Sequence, residues 1–123
     1  MTAQSTSCFA NDYIPAATSA ANCTGYAEIG QDRVHSISIP AGKTLTATIT
    51  PITADDVGMY LLANVAACTA APQMCLIGED VGGPGEVDVL VYANSGITPI
   101  TVLLVVDSYD TGNKTYDLTI AIQ

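Results

Sequence analysis

At 123 residues the chain has room for one domain with a substantial core. Twelve acidic against three basic side chains give a formal net charge of −9, with His35 counted neutral. That balance excludes a phosphate-reading nucleic-acid binder and disfavours docking on an anionic membrane, while a divalent cation is electrostatically welcome. Only 12% of the residues are charged, and the abundant Thr, Val and Ile favour pleated, half-buried surfaces over disorder.

No apolar run approaches the ~18 residues that a membrane-spanning helix needs, so membrane insertion is not expected. Residues 1–5 lack a basic start and a hydrophobic stretch, so an exported protein would carry this chain as its mature part. Residues 1–31 are small and polar, with Asn11, Asp12, Pro15, Asn22 and Gly25 as turn formers. They read as an extended edge segment ahead of a core spanning residues 32–123.

The core opens with residues 33–39, whose His35, Ile37 and Ile39 share one face. Pro40 to Lys43 is a turn. Residues 44–50 alternate Leu45, Ala47 and Ile49 against four threonines, which predicts a strand hairpinned to its predecessor. After Pro51, residues 57–63 place Val57, Met59, Leu61 and Ala63 on one side, and a short strand is expected over 73–78.

Glu79 to Gly85 is the strongest loop signal in the chain. In residues 86–93 the alternation predicts Val87, Val89, Val91 and Ala93 inward, with Glu86 and Asp88 outward. Residues 100–106 are apolar at both parities, as suits a central strand. Residues 115–122 bury Tyr116, Leu118, Ile120 and Ile122, and a polar loop over 107–114 predicts an antiparallel hairpin between these last two strands. Seven or eight short strands with regular turns predict an all-β, antiparallel β-sandwich or jelly roll forming a single domain over residues 1–123.

Four cysteines, Cys8, Cys23, Cys68 and Cys75, allow three connectivities. Cys8–Cys23 and Cys68–Cys75 are favoured because each closes a short local loop, and neither spacing fits a zinc site. Disulfides imply an oxidising compartment, so the expected location is extracellular, with the cell surface as one option.

Residues 31–45, beginning Gln31-Asp32-Arg33-Val34-His35 and running into Pro40-Ala41-Gly42-Lys43, resemble a segment of bacterial pre-peptidase C-terminal domains. Asp56-Val57-Gly58-Met59-Tyr60-Leu61-Leu62 is similar to a second strand of that family. Val105-Val106-Asp107-Ser108-Tyr109, Gly112 and Tyr116-Asp117-Leu118-Thr119-Ile120 resemble its closing strands. The nearest flavour is the cysteine-bearing version found in secreted proteins of myxobacteria and their relatives. The resemblance spans residues 8–122 and implies a secreted, non-catalytic module appended to exported proteins. Some such modules bind calcium through acids near the N-terminal segment and attach to extracellular polymers. By that resemblance Asn11, Asp12 and Asp32, with Glu28 as a further acid nearby, are the candidate calcium ligands. The family's preceding glutamates are missing here, and His35 stands where the family has an aromatic residue.

Further acidic groups, Asp55/Asp56, Glu79/Asp80/Glu86 and Asp107/Asp110, lack EF-hand spacing and would need the fold to bring them together. Acids at strand ends also simply keep an apolar sandwich soluble. No catalytic residue is expected. There is no nucleophile elbow, and Ser36 and Ser38 point away from His35 in an extended strand. The glycine loop over 81–85 lacks the lysine and the helix of a phosphate cradle. Two functions are therefore expected: a calcium-tuned accessory module that binds an extracellular polymer or protein, or a structural subunit that self-associates into a filament by strand addition.

Overall fold

The computed structural model describes residues 30–64, 75–112 and 114–123, together with 4–5, 24 and 67. Its eight strands are β1 (Gln4–Ser5), β2 (Arg33–Ile39), β3 (Thr44–Pro51), β4 (Val57–Leu62), β5 (Ile77–Glu79), β6 (Asp88–Ala93), β7 (Ile100–Ser108) and β8 (Thr115–Ile122). They form two four-stranded sheets, ordered β1-β8-β3-β6 and β2-β7-β4-β5, with every pairing antiparallel. The expected all-β sandwich is the architecture observed.

The main core lies between the sheets. Ile37, Ile39, Met59, Leu61, Val102, Leu104 and Val106 from one sheet meet Leu45, Ala47, Ile49, Leu90, Tyr116 and Leu118 from the other. A second, smaller cluster covers the outer face of the β7 sheet, where Tyr60, Leu62, Cys75 and Val105 are buried with Val34, Ala67 and Leu103 against them. This explains why β7 is apolar at both parities: each of its faces meets a different cluster.

Two expected hairpins are not hairpins. β2 and β3 belong to different sheets, as do β7 and β8. The turn after β2 is tight, with Lys43 N–H donating to Pro40 O at 3.1 Å and Gly42 at φ 71°. A hairpin would set the apolar faces of β2 and β3 side by side. The arch instead sets Ile37 and Ile39 face to face with Leu45, Ala47 and Ile49, which removes both faces from water at once. Alternation predicts that a strand buries one face, and it is silent about which sheet supplies the cover.

The facing of β6 is also the reverse of the expectation. Val87, Val89 and Val91 are 50%, 45% and 51% exposed, while Asp88 and Leu90 are buried at 3% and 0%. Leu90 offers more apolar area than a valine. Burial of the Asp88 carboxylate is offset by hydrogen bonds from Val81 N–H at 3.0 Å and Gly82 N–H at 2.7 Å. The short strand expected over 73–78 meets the observed β5, Ile77–Glu79, only at Ile77 and Gly78; Cys75 and Leu76 are not in a strand, and residues 73–74 lie outside the described residues.

Candidate functional site

The strand register gives the sandwich two unlike ends. At one end lie the starts of β2, β4, β6 and β8 and the ends of β3, β5 and β7. Every described side-chain carboxylate, from Asp32 to Asp117, falls in that half. The connections at the other end carry Lys43 and no acid. The fold thus gathers three acidic groups that are scattered in sequence, Asp55/Asp56, Glu79/Asp80/Glu86 and Asp107/Asp110.

A cleft of about 260 Å³ opens at the acidic end, lined by Asp56, Asp80, Val81, Gly82, Gly83 and Tyr109. Asp56 stands just before β4, and its carbonyl accepts from Tyr109 N–H at 3.4 Å, which fixes the two walls. Burial, together with the charges of Asp110 and Asp88, pushes the Asp56 carboxyl above its usual range. The glycine loop forms the remaining wall. Its amides are already committed: Val81 and Gly82 to Asp88, and Gly83 to Glu86 Oε2 at 2.9 Å. A Cβ at Gly82 would sit 3.1 Å from Glu86 Cβ and 3.2 Å from Asp88 Oδ1, so glycine lets the loop close over these carboxylates. With its N–H groups spent on protein acids, the loop offers an anion nothing, in keeping with the expectation that it is not a phosphate cradle.

Beside the cleft, Asp55 is held below the usual carboxylate range, first by the Thr53 hydroxyl and then by Lys114, whose Nζ lies 3.3 Å from Oδ1. A second acidic feature lies on the outer face of the other sheet. Asp107 is fully buried, accepting from Tyr60 Oη at 3.1 Å and from Ser108 N–H at 2.8 Å. Burial pushes its carboxyl up to about 7 against those two donors, and the charge of Asp32 adds to the rise. Asp32 is itself 3% exposed, one residue ahead of the Arg33–Val106 pair.

Of the four candidate calcium ligands, Asp32 is therefore placed, buried next to Asp107; Asn11, Asp12 and Glu28 lie outside the described residues. Among the described residues no group of three or more His, Cys, Asp or Glu side chains is arranged to hold a metal ion. Cys75 is buried beneath the second cluster, and Cys8, Cys23 and Cys68 lie outside the described residues.

His35 faces inward with Ile37 and Ile39, while Ser36 and Ser38 are exposed on the opposite face. Burial, and then the nearby Arg33, lowers the His35 pKa, and its Nε2 has no hydrogen-bond partner among the described residues. That is a neutral boundary histidine. Tyr116 also points inward, its phenol pushed up to about 12 by burial.

Two acids sit otherwise than the sequence reading had them: Asp88, expected outward, is buried on the inner face, and Asp107, grouped with Asp110 in the loop after β7, is buried on that strand's outer face at the parity of Leu103 and Val105. Asn94 carries no sequence signal beyond that of a turn former.

No protein-family model and no curated protein sequence matches the chain. In structure it is similar to the pre-peptidase C-terminal domain of a collagenase from Bacillus anthracis, with a TM-score of 0.55. Sequence identity to that domain is 15%, and the match covers 73% of this chain and 76% of that one. At such identity the likeness is one of fold, and the fold is a β-sandwich like that of a pre-peptidase C-terminal domain.

Proposed function

We propose that this chain is a non-catalytic, extracellular accessory module that attaches an exported protein to an insoluble polymer or surface protein, with calcium as its one cofactor. The observation that carries the reading is the fold likeness to a collagenase's pre-peptidase C-terminal domain. It coincides with the motif resemblance of residues 31–45, 56–62 and 105–120 to that family. Asp32 stands at the head of β2, where the resemblance puts an acid, and it is buried beside Asp107. Asn11, Asp12 and Glu28 are the ligands proposed to join Asp32.

Two disulfides, Cys8–Cys23 and Cys68–Cys75, belong to the same proposal. Cys75 is buried within the second cluster, away from solvent. The oxidising compartment that such pairs require agrees with secretion.

The test is retention of the purified chain on insoluble collagen and on polysaccharide particles, with calcium and then with chelator. Retention that chelator weakens, together with a melting midpoint several degrees higher in calcium, is the expected outcome. A chain that passes through every matrix, with the same midpoint in both buffers, would sink the proposal.

A further inference from the structure

We propose that the free edge of β6 is a dimerisation edge: two copies of this chain pair antiparallel through β6 and merge their four-stranded sheets into one. Among the described residues each sheet has two edge strands, β1 and β6 in one and β2 and β5 in the other. β1 and β5 are two and three residues long, too short to template another strand. β2 carries Arg33 and runs directly into Pro40, and charge and proline are common edge protections. β6 is six residues long and has no proline, glycine, lysine or arginine. Its one charge, Asp88, is buried on the inner face.

The ladder shows what this edge presents. Asn94 N–H donates to Lys43 O at 2.9 Å, so the alternating residues Tyr92, Leu90 and Asp88 also bond toward β3. Thr44 exchanges both of its hydrogen bonds with Gln123, at 2.8 and 3.1 Å, which independently assigns Thr44, Thr46 and Thr48 to the β8 side. Val89, Val91 and Ala93 therefore turn their N–H and C=O groups to the free side. Val89 and Val91 also hold their side chains about half exposed on the outer face. Unpaired backbone and uncovered valines coincide on one strand.

The charge distribution identifies the occupant as a second copy in one orientation. Parallel pairing would set two acidic ends together, which a chain of net charge −9 opposes. Antiparallel pairing sets each acidic end against the other copy's acid-free end. With the two-fold axis at Leu90, Val89 faces Val91 of the second copy and Val87 faces Ala93. Glu86 then comes opposite Asn94, whose β3 neighbour is Lys43. Such pairing is isologous and closes on itself, so it yields a dimer and consumes the edge that a filament would need.

Sedimentation equilibrium on the full 123-residue chain tests this, with Val91→Pro and Val91→Lys beside it. Proline at position 91 deletes an N–H that faces the free side and leaves the β3 ladder whole. Lysine puts a charge on the edge without touching the core. The unmodified chain should sediment at the mass of two chains, and each variant should raise the dissociation constant at least about tenfold. Should Val91→Pro fail to fold, as judged by circular dichroism, Val91→Lys alone decides. A monomer at about 100 µM, or a dimer that persists in Val91→Lys, would overturn the proposal.

Discussion

The two ends of the sandwich solve the same problem by opposite means. Both must satisfy backbone groups where strands stop and the chain crosses between sheets. Among the described residues the capping side chains at the acid-free end are neutral amides: Asn64 accepts from Ala67 N–H at 3.1 Å, and Asn94 serves the crossing from β2 to β3. Asn94, 4% exposed, donates to Ile39 O at 3.0 Å, Pro40 O at 3.1 Å and Thr98 O at 2.9 Å, and accepts from Gly96 N–H at 3.1 Å. Its own backbone ties Gly42 and Lys43. At the acidic end the capping groups are ionisable: Asp88 and Glu86 for the glycine loop, and Asp107 for Ser108. A neutral cap holds at any pH. An end built from crowded carboxylates makes its stability depend on protons and cations, which is where a ligand can act.

Breaking the neutral cap should have the largest effect. Asn94→Ala strands three carbonyls and one amide at a buried crossing, and should cost about 4 kcal/mol in urea unfolding, equally at pH 5 and pH 8. A pH-dependent loss would mean that Asn94 is coupled to the acidic end after all. The buried Asp107 should show the contrasting behaviour. Its carboxyl titrates near 7 when folded and near the ordinary aspartate value of ~4 when unfolded, so the folded state holds the extra proton between those values. Stability is then greatest at the acid side of that window, falls as the pH rises from about 4 to about 7, and levels off above. The loss should be on the order of 4 kcal/mol, and Asp107→Asn should flatten the profile. A profile unchanged by that substitution would move the proton to another group, with Asp32 the first to examine.

The difference between the ends also marks what the sequence could say. Period-two alternation located β2, β3, β4 and β8, and the doubly apolar run of β7 foretold its central place between β2 and β4. Alternation is a statement about one strand, so it could not tell an arch from a hairpin, and both predicted hairpins proved to be crossings between sheets. It failed on β6 because that strand is apolar at both parities. There the choice went to Leu90 and to the hydrogen bonds that Asp88 makes with a loop seven residues upstream. The gathering of Asp56, Asp80 and Asp110 at one end is likewise a product of pairing register. Asp32 was found through a motif, whereas its neighbour Asp107 becomes visible as buried once the second cluster over β7 is known.

The smallest expected effect separates charge from packing at the acidic end. Lys114, with 8% of its side chain exposed, is 3.3 Å from Asp55, whose side chain is 21% exposed. Desolvating the ammonium opposes much of the attraction, so the pair should contribute only about 1 kcal/mol. Lys114 also helps hold the Asp55 carboxyl below its ordinary range, behind the Thr53 hydroxyl. A depressed carboxyl stabilises the fold above its unfolded pKa, and that contribution is lost as the pH falls through the lower folded value. Lys114→Met keeps the aliphatic stem and removes the charge. Its cost should be measurable at pH 7, shrink in 1 M salt, and vanish once the pH has fallen below the lowered folded value, where Asp55 is protonated in both states. A cost that persists unchanged at low pH would assign Lys114 to packing rather than to charge.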